Sequence, residues 1–139
     1  MFNNLKRLVL PALILVAIVP GCAREESKTK VKLNQPFEMT IGQTVVATGQ
    51  DLEIKFEDIT EDSRCPKGVV CIWAGQVSVL VEMTAKDGQE TLTLTEPGPS
   101  GLNISTYRQY RISYQISPYP EAGRAISKGD YKLQLTIKK

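Results

Sequence analysis

From Phe37 to the C-terminus, apolar side chains recur at every second position, and nowhere does an apolar pattern of helical period last for three turns. A spacing of two puts alternate side chains on one face of a pleated strand, which restricts this chain to sheet. Phe37, Met39 and Ile41 form one set, and Leu52, Ile54 and Phe56 a second. Trp73, Val77, Val79, Val81 and Met83 make a long third, opposed by Gln76, Ser78 and Glu82, and Leu92 with Leu94 a short fourth. Tyr110, Ile112, Tyr114 and Ile116, then Tyr131, Leu133, Leu135 and Ile137, complete the pattern. Gly42, Gly49, Asp87-Gly88, the segment Pro97 to Gly101, Pro118-Tyr119-Pro120 and Gly129-Asp130 punctuate it with residues that set or permit turn dihedrals. Asp87-Gly88 between two alternating runs predicts a hairpin. The expected fold is all-β, an immunoglobulin-like two-sheet antiparallel β-sandwich of about seven strands, over one domain, residues 36–139.

The start of the chain has a different character. Lys6 and Arg7 precede an apolar run from Leu8 to Val19, which leads into Ile18-Val19-Pro20-Gly21-Cys22. A charged start, a short apolar stretch and a small-residue site make a secretory signal, and a cysteine at the cut is the added mark of bacterial lipidation. Val19 and Pro20 stand where such signals usually carry Leu and a small residue. A membrane-spanning helix needs about 20 apolar residues, and Pro11 and Pro20 interrupt this run. Residues 1–21 are therefore expected to be a cleaved lipoprotein signal peptide, with Cys22 acylated. Residues 22–35 include Glu25, Glu26, Ser27, Thr29 and Asn34 and few large apolar side chains, and are expected to be a flexible tether. The membrane, reached through the lipid at Cys22, is one expected partner, and an envelope protein is another. Ala23 in place of an Asp beside the cysteine places the protein, in a host with two membranes, on the outer membrane facing the periplasm.

Charge and composition exclude several chemistries. Of 17 basic and 15 acidic residues, the signal removes Lys6 and Arg7 and no acid, leaving 15 of each. A neutral chain without a basic stripe does not fit a nucleic-acid partner. The sequence contains no histidine, so Ser-His-Asp and Cys-His nucleophilic arrangements are absent, and no metal or cofactor is expected. Glu57, Asp58, Glu61 and Asp62 cluster without matching a calcium loop, and read as a solvated acidic turn.

Two cysteines remain after Cys22, in Asp62-Ser63-Arg64-Cys65-Pro66-Lys67-Gly68-Val69-Val70-Cys71. An even pair in an exported chain implies a disulfide, here closing a short corner that Pro66 and Gly68 help to turn. Asp62 is placed to accept a hydrogen bond from a backbone amide just ahead, as an Asx turn. Asp62-Ser63-Arg64-Cys65-Pro66, then Cys71, Trp73, Ala74 and Gly75, resemble a motif of small bacterial secreted proteins and lipoproteins of uncharacterised function. Pro118-Tyr119-Pro120 followed by Tyr131, Leu133 and Leu135 is similar too. The resemblance implies an exported β domain and no particular activity.

Three functions compete for this segment. The first is a lipid-anchored binding or structural accessory domain without catalytic activity, with Asp62, Arg64, Trp73 and Tyr119 as its candidate binding surface. The second is a protease inhibitor that presents Arg64 from the disulfide loop, where rigidity lowers the entropy cost of association. The third is a thiol-disulfide enzyme, which needs a depressed thiolate pKa and has only Arg64 and Lys67 to supply it. Trp73, on an alternating run, reads as core packing, with ligand stacking beside Tyr107, Tyr110, Tyr114 and Tyr119 as the alternative.

Overall fold

The computed structural model describes residues 28–99 and 101–139; the signal peptide, Cys22 and most of the expected tether lie outside them. Among these described residues, nine strands form two packed sheets. They are β1 (Thr29–Val31), β2 (Phe37–Thr40), β3 (Thr44–Ala47), β4 (Leu52–Asp62), β5 (Gln76–Ala85), β6 (Gly88–Pro97), β7 (Asn103–Tyr107), β8 (Tyr110–Ser117) and β9 (Lys132–Lys138). The first sheet has the order β1-β3-β4-β5-β6 and the second β2-β9-β8-β7. A single 3-10 turn, Lys128–Asp130, is the helical structure among the described residues.

The alternation read from the sequence is the core. Leu52, Ile54 and Phe56 of β4, Val77, Val79, Val81 and Met83 of β5, Ile112, Tyr114 and Ile116 of β8, and Leu133, Leu135 and Ile137 of β9 are buried between the sheets. Their opposite faces carry polar side chains, as expected for a sheet with one wet face. The hairpin at Asp87-Gly88 forms, with Ala85 paired to Gly88 and Lys86-Asp87 as its loop. The Tyr114 hydroxyl donates to the backbone oxygen of Thr95 at 2.7 Å, tying β8 to β6 across the core.

Two boundaries differ from expectation. The ordered domain starts before residue 36: β1 pairs in parallel with β3, Val31 enters the core, and the Asn34 amide donates to the Ile137 oxygen at 2.8 Å. Val31 and Leu33, two residues apart, supply the apolar contact that the polar composition around them hides. Strand β4 also runs six residues past Phe56, through register shifts at Phe56/Asp58 and Ile59/Glu61. Each extra residue reverses which side chains face inward, and two of them restore the original parity. Asp62, opposite buried Val77, therefore points into the molecule, and Arg64 two residues on follows it.

Candidate functional site

Asp62 and Arg64 were expected at a loop surface; they are instead the centre of a buried polar clamp. The Arg64 side chain has no exposed surface and that of Asp62 is 10% exposed. The pair is joined as a fork, with Nε donating to Oδ1 at 2.8 Å and Nη2 to Oδ2 at 2.6 Å, the planar match that distinguishes arginine from lysine. The remaining guanidinium donors cross to the second sheet. Nη1 donates to the Ile116 oxygen at 3.2 Å and Nη2 to the Pro118 oxygen at 2.9 Å. Glu96 of β6, buried like Arg64, stands 3.9 Å from Nη1 and accepts the Ile116 amide at 2.7 Å. Tyr131 closes the set, its hydroxyl donating to Asp62 Oδ2 at 2.9 Å. The expected Asx turn is present as well, the Arg64 amide donating to Asp62 Oδ1 at 3.3 Å.

The clamp explains how β8 ends. Strand β7 pairs with β8 only as far as Tyr114, so Ile116 has no strand beside it on that edge. An unpaired edge is a template for another chain, yet here the Ile116 amide and carbonyl are taken by Glu96 and Arg64. One guanidinium and two carboxylates thus join both sheets at one end of the sandwich.

Its protonation chemistry sets a pH window. Burial pushes the Asp62 carboxyl up, but hydrogen bonds from Arg64 and Tyr131 and the guanidinium charge outweigh it and hold its pKa below the usual carboxylate value. Burial, then the hydrogen bond and charge of Asp62, push the Tyr131 phenol up to about 12. A depressed carboxylate stabilises the fold above its unfolded value of about 4, and that contribution is lost as pH falls through the lower folded value. A raised phenol stabilises fully below about pH 10, and its contribution is lost as pH rises through the folded value. Denaturant midpoints should hold between these limits and fall outside them. Tyr131→Phe should shorten the alkaline decline, the remainder coming from Tyr107 and Tyr114, which burial also raises.

Outside the clamp the disulfide loop projects from the sandwich. Cys65 and Cys71 are bonded, with Cα atoms 5.9 Å apart, as the export reading expected. The base of the loop is tied down on two sides. The Cys65 amide donates to the Ala74 oxygen at 2.9 Å, and the Lys67 amide and carbonyl bond Pro120 and Ala122 at 3.0 Å each. Tyr119 packs beneath it: its hydroxyl donates to the Cys65 oxygen at 3.0 Å, and the Arg64 guanidinium lies 5.0 Å from its ring centre. Between loop and sandwich lies an open cleft of about 660 Å³, lined among others by Val69, Trp73, Pro99, Gln115, Ile116 and Tyr119.

The crest of the loop is apolar and bare. Val70 and Ile72 are fully in solvent, Trp73 is 81% exposed and Val69 half so. This overturns the core reading of Trp73. Gly75, with φ at +69°, breaks the strand before Trp73, so the alternation from Val77 backwards does not extend to it. Of the four candidate surface residues, Trp73 and Tyr119 share the cleft, while Asp62 and Arg64 are interior. The buried Arg64 also corrects the inhibitor reading, since a side chain held by four hydrogen bonds inside the sandwich is not presented to a protease pocket. The same bonds commit its charge to Asp62 and two backbone oxygens, while Lys67, the other cation of the thiol-enzyme reading, is exposed on the loop. The acidic residues nearby disperse: Asp58 pairs with Lys128, and Glu57 with Lys55.

Glu96 and Tyr131 were missed as members of the clamp. Glu96 is the next alternate residue after Leu92 and Leu94, and Tyr131 begins the Leu133 set; both positions predict an inward side chain, and spacing outweighs polarity at each. Comparison of the chain with family models, with curated proteins and with solved structures gives no match.

Proposed function

We propose that this protein is a lipid-anchored, non-catalytic accessory of the cell envelope whose sandwich is a rigid support for a binding loop. One observation carries the reading: Val70, Ile72 and Trp73 stand in solvent on a loop that a disulfide closes and backbone hydrogen bonds fasten to the sandwich. Contiguous exposed apolar side chains mark interaction sites, and holding them in place beforehand lowers the entropy cost of association. The charged residues of the motif fit the same division of labour, because they are consumed in the clamp below the loop. The signal read from Lys6 to Cys22 supports export and acylation, with the outer membrane's periplasmic face as the destination in a host with two membranes.

Cys22→Ser is expected to abolish acylation, and mass spectrometry of the membrane fraction checks this. An acyl-modified protein after that substitution, or a wild-type protein that retains residues 1–21 uncleaved in the membrane, would contradict the anchor.

A further inference from the structure

We infer that the disulfide-loop crest, Val70, Ile72 and Trp73, is a second membrane contact that sits in the interface of the bilayer to which the protein is anchored. The inference rests on the lipid-anchor reading and adds a ligand for the loop. Its first support is direction. Strand β1 is parallel to β3, and β3 is antiparallel to β4, so β1 traced backwards from Val31 to Thr29 points toward the Asp62 end of β4, where the loop is. Thr29 lies level with Val45 and Ile54, and Ile54 with Met83. From Met83 to Val77, the partner of Asp62, is six residues of β5, about 20 Å at strand rise.

Length is the second support. Seven peptide steps separate Cys22 from Thr29, at most about 25 Å when fully extended. The longest possible tether therefore reaches little beyond the loop end of the sandwich. The tether is therefore long enough to set the loop end, toward which β1 points, at the surface of the bilayer that holds an acylated Cys22.

The third support is the chemistry of the crest. Tryptophan is enriched at membrane interfaces because its ring is apolar and its indole N–H polar. Two aliphatic side chains beside it add buried apolar area, on which interfacial binding strength depends. Lys67, exposed on the same loop, adds a cation that anionic headgroups attract. The crest adds buried apolar contact to that of the acyl chains on Cys22.

Trp73 is the only tryptophan in the chain, so its fluorescence reads this contact alone. The acylated protein is reconstituted into phosphatidylethanolamine–phosphatidylglycerol vesicles with and without brominated acyl chains. The expected result is a blue-shifted Trp73 emission that brominated lipid quenches, and loss of both shift and quenching in a Val70→Ser/Ile72→Ser variant that remains acylated. Mass spectrometry of the same preparation separates the two ways to fail. Absence of acyl chains would overturn the anchor and this inference with it, whereas acylated protein with water-exposed, unquenched Trp73 would overturn the inference alone. Emission that shifts only in native envelope fragments, which add proteins to the bilayer, would assign the crest to a protein partner and also overturn it.

Discussion

Arg64→Met is expected to destabilise the domain by about 3–5 kcal/mol, the cost of removing one partner from a buried ion pair. Methionine keeps the unbranched stem, so the loss reports the guanidinium. Without it Asp62 and Glu96 face each other across the interior with no cation between them, and the carbonyls of Ile116 and Pro118 lose their donors. That is a large part of the roughly 5–15 kcal/mol that holds a typical domain folded. Arg64→Lys should fall between wild type and Arg64→Met, because an ammonium keeps the charge but cannot make the fork to Asp62 while reaching two carbonyls on the other sheet. Equilibrium unfolding in urea checks both.

Gly75→Ala is expected to be comparably damaging for a different reason. A Cβ on Gly75 would collide with the Ser63 carbonyl oxygen and lie 2.9 Å from the Arg64 Cα. The residue also occupies φ +69°, a left-handed conformation that costs other residues on the order of 1–3 kcal/mol. Neighbouring backbone cannot yield cheaply, because the Ser63 amide donates to Gln76 and the Cys65 amide to Ala74 on either side of the contact. A loss of at least about 3 kcal/mol, the upper end of that strain cost, should appear in urea unfolding, with a changed near-ultraviolet signal from Trp73 as the loop shifts.

The sandwich was legible because alternation states a strand and its buried face together. Six of the nine strands follow from the runs at Phe37, Leu52, Val77, Leu92, Tyr110 and Tyr131. The three that do not are β1 and β7, which carry no two large apolar residues at alternate positions, and β3, where Val45, Val46 and Ala47 form an unbroken run without a period of two. The site was legible only in part. The disulfide followed from the compartment and the cysteine count, but the roles of its neighbours were exchanged: Arg64 is interior and Trp73 is exposed. Average burial preferences put arginine outside and tryptophan largely inside. Local geometry overrides both here, since the two bulges of β4 cancel and leave Asp62 and Arg64 on the inward parity of Phe56, while Gly75 turns Trp73 out. Neither a bulge position nor the burial of Glu96 is written in hydrophobicity, although parity counted from Leu94 points to Glu96.

On the proposed function, this segment divides into a charged interior that carries stability and an apolar crest that carries binding. Urea unfolding of Trp73→Ala beside Arg64→Met tests it most directly. Trp73→Ala is expected to change stability by no more than about 0.5 kcal/mol, as for an exposed side chain without structural partners, while Arg64→Met loses several-fold more. The reverse order, with Trp73→Ala costing the roughly 3–5 kcal/mol of a truncated core aromatic and Arg64→Met near neutral, would contradict it.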